Sequence, residues 1–201
     1  MKKNLLIILG PQGSGKSTQA KIIENEFKFK QIIQSNLLKE EVKKKTKVGL
    51  QINKIMLEGN LVPYEITCKL LYEKLKKTKS KNILIDGFPR QMEQVHVLDY
   101  FIYTENINFL GIIYINLTEK ECIKRLVLRK REDDTPKAIR TRLYNYFKET
   151  KPVIERYDKK NKLIKINGNK TIENVAAEIK IKLKKVGLWS LMIESLKILL
   201  S

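Results

Sequence analysis

A glycine-rich segment near the start of the chain has the residue types and spacing of a phosphate-binding loop. Residues 10–18 read Gly-Pro-Gln-Gly-Ser-Gly-Lys-Ser-Thr and match the pattern G-x-x-x-x-G-K-[ST]. Glycines let successive backbone N–H groups turn inward around an anion, and the N-terminus of the following helix adds positive potential. The loop therefore predicts a nucleotide as ligand, with Lys16 reaching its phosphates and a hydroxyl of Ser17 or Thr18 serving Mg²⁺.

A second motif ends an apolar run much later in the chain. Residues 86–90 read Asp-Gly-Phe-Pro-Arg, and Gln94 follows four residues on. Asp86 closes a predicted buried strand beside the strand of the loop, where a carboxylate can hold Mg²⁺ through water. Pro89 fixes the turn that aims Arg90. The amide of Gln94 offers both a donor and an acceptor to the edge of a base.

Arginine is used sparingly and in one region. The chain has 41 Lys+Arg against 22 Asp+Glu, a net charge of +19, yet only 7 of the 41 are arginines. Five of these lie within eighteen residues: Arg125, Arg129, Arg131, Arg140 and Arg142. The planar guanidinium binds phosphate bidentately and lysine does not, so this cluster predicts phosphate contacts. A salt-bridged helix face is the alternative, since Glu132, Asp133 and Asp134 are close by.

Composition excludes several classes of protein. A length of 201 residues with 42% hydrophobic residues suits one globular domain and excludes a disordered chain. No apolar run is long enough to span a bilayer. Two distant cysteines, Cys68 and Cys122, predict neither a disulfide framework nor a zinc site, which is typical of a cytoplasmic protein. The scattered lysines indicate a solvated surface more than a specific nucleic-acid site.

The elements that must position these residues alternate along the chain. Continuous apolar runs predict strands at 5–9, 82–86, 109–115 and 163–166, with a weaker one at 31–33. Helical patterns lie between them, at 16–28, 35–47, 50–58, 64–78, 91–101, 118–129, 134–160 and 171–185. The alternation predicts an α/β fold with a parallel sheet covered by helices on both faces.

Taken together, these motifs resemble the adenylate kinase family of nucleoside monophosphate kinases over about residues 1–185. The resemblance rests on the loop, on residues 86–90 with Gln94, and on the arginine-rich region that continues to Tyr157. It implies a three-layer α/β/α P-loop domain (residues 1–186) with a five-stranded parallel sheet. It also implies a helical monophosphate-binding segment at about 33–62 and a minimal lid at about 128–134.

The resemblance also implies roles by position. Transfer from MgATP to a monophosphate, most simply AMP, would be stabilised by Lys16, Asp86, Arg90, Arg125, Arg131 and Arg142. ATP would contact Gly13, Ser14, Gly15, Lys16, Ser17, Thr18, Arg125, Arg129 and Lys170. The monophosphate would contact Gln34, Lys39, Asn60, Leu61, Val62, Gly87, Phe88, Pro89, Arg90, Gln94, Arg131 and Arg142. Gln94 favours AMP, because pyrimidine-specific relatives tend to have Asn there.

Three departures from the family pattern keep alternatives open. The family's Ser-Thr-Gly-Asp segment and its later Arg are replaced here, with Gln34, Asn36 and Lys39 at the changed positions. Lys39 keeps the charge without the bidentate fork, so a UMP/CMP-type kinase or a binding module with an impaired acceptor site is the alternative. Ser17 stands where many members have Gly, and the lid has no zinc-binding cysteines.

The C-terminal segment at 187–201 is an amphipathic extension. Ser190, Glu194, Lys197 and Ser201 recur at helical spacing, and the other residues are mostly apolar. We expect it to pack on the domain or on a second copy, and a membrane-surface anchor is the alternative. The protein is expected to be a monomer.

Overall fold

The strands form one parallel sheet. A computed structural model describes residues 2–129 and 134–184, so part of the expected lid, including Arg131, and the 187–201 extension lie outside it. The strand order is β2-β3-β1-β4-β5, and every neighbouring pair is parallel. The strands are β1 (Asn4–Leu9), β2 (Lys30–Ile33), β3 (Asn82–Asp86), β4 (Asn108–Asn116) and β5 (Leu163–Asn167).

Both faces of the sheet are covered by helices. Alternate residues of β1 enter two different cores: Leu5, Ile7 and Leu9 one of them, Leu6 and Ile8 the other. The helices are α1 (Lys16–Phe27), α2 (Gln34–Lys43), α3 (Lys47–Leu57), α4 (Tyr64–Lys77), α5 (Met92–Thr104), α6 (Glu119–Arg129), α7 (Pro136–Asn145), α8 (Lys151–Lys159) and α9 (Ile172–Leu183). Side chains of α4, α5 and α8 fill the first core, and those of α1 and α9 fill the second. The expected three-layer α/β/α fold with five parallel strands is confirmed.

The long helix predicted at 134–160 is interrupted. A π-helical turn at Tyr146–Thr150 separates α7 from α8, and the Lys151 N–H donates to the carbonyl of Tyr146, five residues back. Pro152 has no N–H and cannot continue the regular hydrogen-bond ladder, which accounts for the change of pitch in the turn before it. The turn places Tyr146 and Thr150 inward, where both are buried.

Between β2 and β3 the chain forms a helical unit. The hydroxyl of Thr46 accepts a hydrogen bond from the N–H of Gly49 and caps α3. A Cβ on Gly49 would lie 2.6 Å from the carbonyl oxygen of Glu41, so α2 and α3 approach more closely than a larger residue allows. Leu38, Ile52 and Val62 form a small core of this unit. Among the described residues no helix is long and apolar enough to cross a membrane.

Candidate functional site

A cavity of about 390 Å³ opens at the carboxyl ends of β1, β2 and β3, where ligands bind in open parallel sheets. Its size suits a small-molecule ligand. One part of the wall is the glycine-rich loop at 10–18, and the opposite part comes from the helical unit between β2 and β3. Six cationic side chains and one acidic side chain share this wall: Lys16, Lys39, Arg90, Arg125, Arg129, Arg142 and Asp86.

The loop needs glycine at a tightly packed position. Gly13 has φ of 85°, and a Cβ there would lie 3.1 Å from the carbonyl oxygen of Cys122, so glycine suits both the backbone and the packing. The helix α1 begins at Lys16, directly after the loop, and directs its N-terminal N–H groups there. Lys16 folds back over the loop, where its Nζ donates to the carbonyls of Gly10 and Pro11, at 2.7 Å each.

Desolvation lowers the pKa of Lys16 from 10.5 to about 8. The carboxylate of Asp86 raises this pKa, but by less than desolvation lowers it, and Arg90 and Arg129 lower it further. The ammonium therefore lacks a strong counter-anion within the loop. A bound phosphate would provide one.

Asp86 joins the loop to the end of β3. It is 4% exposed, and one of its carboxylate oxygens accepts from the Ser17 hydroxyl at 2.8 Å and from the Gln31 amide at 3.3 Å. Strands β1 and β3 are neighbours, so their carboxyl ends bring Asp86 and the loop together, as the sequence predicts. A hydroxyl and a carboxylate oxygen at this separation are donors of the kind that Mg²⁺ prefers, which makes the pair a fitting site for that ion.

The backbone and side chain of Arg90 are held at several points. Its Nε donates to the carbonyl of Gly87 at 2.8 Å, and its backbone N–H donates to the Gln94 amide oxygen at 2.7 Å. Its backbone carbonyl accepts from the Thr150 hydroxyl at 3.0 Å. Desolvation lowers the pKa of Arg90, an effect that Asp86 opposes and Arg142 adds to. The guanidinium is thus fixed in the cavity wall.

Two further arginines of the wall share one carboxylate. Asp134, whose side chain is 1% exposed, accepts from Nε and Nη2 of Arg129 at 2.8 and 2.7 Å and from Nη1 of Arg142 at 2.9 Å. Arg125 is bound differently, with Nε on Glu121 and Nη2 on the carbonyl of Gly168. These three arginines therefore form salt bridges, which was the alternative for the cluster, and also line the cavity. Their contact with phosphate stays a prediction.

Most of the predicted site residues lie in the wall. Those on the acceptor side are Gln34, Lys39, Asn60, Leu61, Val62, Gly87, Arg90, Gln94 and Arg142, and the loop contributes Gly13, Gly15, Lys16, Ser17 and Thr18. Ser14, Phe88, Pro89 and Lys170 are not in it. Ser14 and Phe88 are buried, and Lys170 forms an ion pair with Glu178 at 3.0 Å. Within the described part of the chain no cluster of three acidic, His or Cys side chains is placed to hold a metal.

Buried threonines in the wall were not predicted. Thr67 and Thr150 are each 4% exposed; Thr67 accepts from the Gln94 amide, while Thr150 donates to Arg90. Thr67 lies on the same helical face as Leu71 and Leu75, and both leucines are in the core. A polar residue within an apolar stripe is the signal that could have found it.

Comparison with known proteins agrees with this geometry. The model of the family described as adenylate kinase matches residues 8–162. The chain belongs to the adenylate kinase family. It is 37% identical over 208 residues to an adenylate kinase of Borreliella burgdorferi, a match that covers 90% of this chain and 99% of that one. Identity to an adenylate kinase of Methanocella arvoryzae is 34% over 212 residues, covering 90% and 98%.

The family also contains relatives named for other acceptors. A protein of Oryza sativa named UMP-CMP kinase 1 is 34% identical over 181 residues, covering 89% of this chain and 73% of that protein. Its identity to this chain equals that of the Methanocella arvoryzae adenylate kinase. Overall sequence identity therefore does not show which monophosphate a member of the family accepts. That choice has to be inferred from the residues of the acceptor pocket.

Asp134 gives a testable consequence for stability. The substitution Asp134→Asn removes the charge that both guanidinium groups share in a nearly buried position, so we expect the free energy of unfolding to fall by about 1.5–3 kcal/mol. Urea denaturation measures it. Asp158→Asn is the matched control, because the Asp158–Lys165 pair is exposed, and we expect a change of less than about 1 kcal/mol there. Equal decreases in the free energy of unfolding of the two variants would contradict the claim that the shared carboxylate of Asp134 stabilises the fold more than an exposed ion pair does.

Proposed function

We propose that this member of the adenylate kinase family transfers the terminal phosphoryl group of MgATP to AMP and so forms two molecules of ADP. The observation that carries the proposal is that one cavity is lined by a phosphate-binding loop, by arginines from three separate segments and by the helical unit between β2 and β3. Donor and acceptor phosphates can then meet at the cations between them.

On the donor side, the loop residues 13–18 would hold the ATP phosphates. Mg²⁺ bound with the nucleotide supplies compensating charge, and Ser17 with Asp86 would hold it, directly or through water. The hydrogen bond between these two residues supports Ser17 over Thr18 as the hydroxyl involved. Arg125 and Arg129, both on α6, would contact ATP. We assign Lys170 the same role, although its ion pair with Glu178 would have to open first.

On the acceptor side, Arg90 and Arg142 would bind the phosphate of the monophosphate, with Lys39 as a further cation. The segment 60–62 would close over the nucleotide, Gly87 would allow its close approach and Gln94 would face its base. Arg131, which lies outside the described residues, is proposed to join this group on the strength of the family pattern alone.

The reaction needs positioning and charge more than covalent chemistry. The attacking atom is an oxygen of the acceptor phosphate, which is already anionic at neutral pH, so no general base is required. This agrees with the placement of the single histidine, His96, which is exposed on α5 and not in the cavity wall. Lys16 and the arginines would stabilise charge on the migrating group while the site excludes water.

A UMP/CMP-type kinase is the second candidate. The specific observations in its favour are the changed residues at 34, 36 and 39 and the similarity to the rice UMP-CMP kinase 1. A coupled assay with AMP, UMP, CMP, GMP and dTMP as acceptors for MgATP separates the two. We expect kcat/KM to be highest for AMP. A preference for UMP or CMP would select the second candidate, and ATP binding without turnover of any monophosphate would refute both.

The lowered pKa of Lys16 gives a pH-dependent prediction. Near pH 8 about half of the Lys16 amines are neutral in the free protein, and bound phosphates raise the pKa, so binding of MgATP should take up about half a proton. Isothermal titration calorimetry at pH 8 in buffers of different ionisation enthalpy measures this uptake. In Lys16→Arg, where the cation does not titrate, the uptake should disappear. If the binding heat of the wild type did not depend on the buffer, no proton would be taken up, and the proposed contact of Lys16 with the ATP phosphates would be contradicted.

A further inference from the structure

The hydroxyl of Thr150 does not cap the helix that it precedes. Thr150 occupies the N-cap position of α8, where a threonine hydroxyl normally accepts from an N–H of the first turn. Thr46, Thr135 and Thr171 accept in this way at the starts of α3, α7 and α9. With the residues that the structure describes, Thr150 makes no such capping bond. Its hydroxyl is therefore available for a contact outside α8.

The hydroxyl of Thr150 bonds to a distant part of the chain instead. Within helices a threonine often donates to the carbonyl four residues earlier, as Thr104 does to Tyr100 at 3.0 Å. For Thr150 that carbonyl belongs to Tyr146, and it accepts from the backbone N–H five residues later in the π-helical turn. The Thr150 hydroxyl donates to the carbonyl of Arg90, 60 residues earlier in the chain, at 3.0 Å. The bond therefore joins two separate elements.

The π-helical turn that ends at Thr150 is anchored at its other end as well. Tyr146 is its first residue, is buried, and donates from its hydroxyl to the hydroxyl of Tyr114 on β4 at 3.0 Å. Tyr114 in turn donates to the side-chain oxygen of Asn116, at the end of the same strand, at 3.1 Å. Hydrogen-bond networks of this kind rigidify the elements that they join. The turn thus links the carboxyl end of β4 to the backbone of Arg90.

The Thr150 bond also relates Arg90 to Arg142. The bonds that Arg90 makes to Gly87 and Gln94 stay within four residues of it and fix the shape of its own turn. The bond from Thr150 comes from the segment that directly follows α7, and α7 carries Arg142. Desolvation lowers the pKa of Arg90 most, and the charge of Arg142 adds to this effect, so the two cations lie within electrostatic reach of each other. The bond therefore sets the separation of the two backbones from which these guanidinium groups extend into the cavity wall.

We propose that Thr150 is a positioning residue for phosphoryl transfer, whose hydroxyl holds the backbone of Arg90 so that Arg90 and Arg142 converge on the acceptor phosphate. The inference rests on the proposed function, which assigns both arginines to that phosphate. The hydroxyl acts through Arg90 and not on the reacting atoms, because its proton is committed to the carbonyl. A displacement of about 1 Å in a group that positions the substrate can slow a reaction about a hundredfold, so one buried hydrogen bond is sufficient for a measurable effect.

The substitution Thr150→Val tests this role, because it replaces the hydroxyl with a methyl group of similar size. We expect kcat/KM for AMP to fall about ten- to fiftyfold, while KM for MgATP changes by less than about twofold, since the donor side is untouched. Thr150→Ser keeps the hydroxyl and should stay within about threefold of the wild type. Thr104→Val is the matched control. It removes a hydroxyl that is bonded over the same distance at an exposed position outside the cavity wall, so kcat/KM for AMP should not change.

A double-mutant cycle with Arg90 separates positioning from a general loss of stability. In the Arg90→Ala background, Thr150→Val should lower kcat/KM for AMP by less than about twofold, because no guanidinium group remains to be positioned. An effect on stability alone would lower kcat/KM by the same factor in both backgrounds. Thr150→Ala provides the same comparison if the valine variant does not fold.

The outcomes distinguish this inference from the proposed function. A wild-type kcat/KM in Thr150→Val, or an equal decrease of kcat/KM in both backgrounds, would overturn the positioning role of Thr150 alone. Wild-type turnover of AMP by Arg90→Ala would overturn the assignment of Arg90 to the acceptor phosphate, and the positioning role with it. If the wild type transferred phosphate to no monophosphate, the proposed function would be overturned as well.

Discussion

The structure depends on concentrating positive charge at one end of a parallel sheet and holding it there with the protein's own acceptors. Five cations of the cavity wall are bound at short range: Lys16 by two loop carbonyls, Arg90 by the carbonyl of Gly87, Arg125 by Glu121 and the carbonyl of Gly168, and Arg129 and Arg142 by Asp134. Like charges this close repel one another and lose hydration. Fixed hydrogen-bond acceptors offset that cost and keep the cations oriented before a ligand arrives. Cations oriented in advance stabilise a charged transition state strongly, because they need not reorganise during the reaction.

The order of the strands is what makes this concentration possible. Strand β1 lies between β3 and β4, so the loop after β1 has the Asp86 turn on one side and the start of α6 on the other. The same order places β2 beside β3, with Ile33 opposite Asp86 in the register, so that Gln34 begins α2 at the edge of the cavity. Residues far apart in the chain thus meet at the carboxyl edge of the sheet.

The sequence was sufficient to predict those features of the structure that local residue chemistry decides. The glycine-rich loop, the apolar strands and the pairing of Asp86 with the loop follow from motif and periodicity. The interruption at Tyr146–Thr150 was missed, because the helical pattern continues through it and only Pro152 signals the change. The partners of Lys170 and Gln94 were also beyond prediction, since they depend on which side chains tertiary packing brings within reach.

Arg90 connects the recognition of the acceptor with the compensation of its charge. Its backbone is bound by Gln94 and Thr150, so the residue that would bind the acceptor phosphate is positioned by groups in the wall of the cavity.

The central claim is that the fixed cations of the cavity stabilise the migrating phosphoryl group. Single-turnover transfer from MgATP to AMP by Arg90→Ala and Arg90→Lys tests it most directly. We predict that Arg90→Ala slows the transfer step at least a hundredfold. Arg90→Lys keeps the positive charge but cannot bind phosphate bidentately, so its transfer rate should lie between those of Arg90→Ala and the wild type. A transfer rate within a few-fold of the wild type in Arg90→Ala would contradict the account.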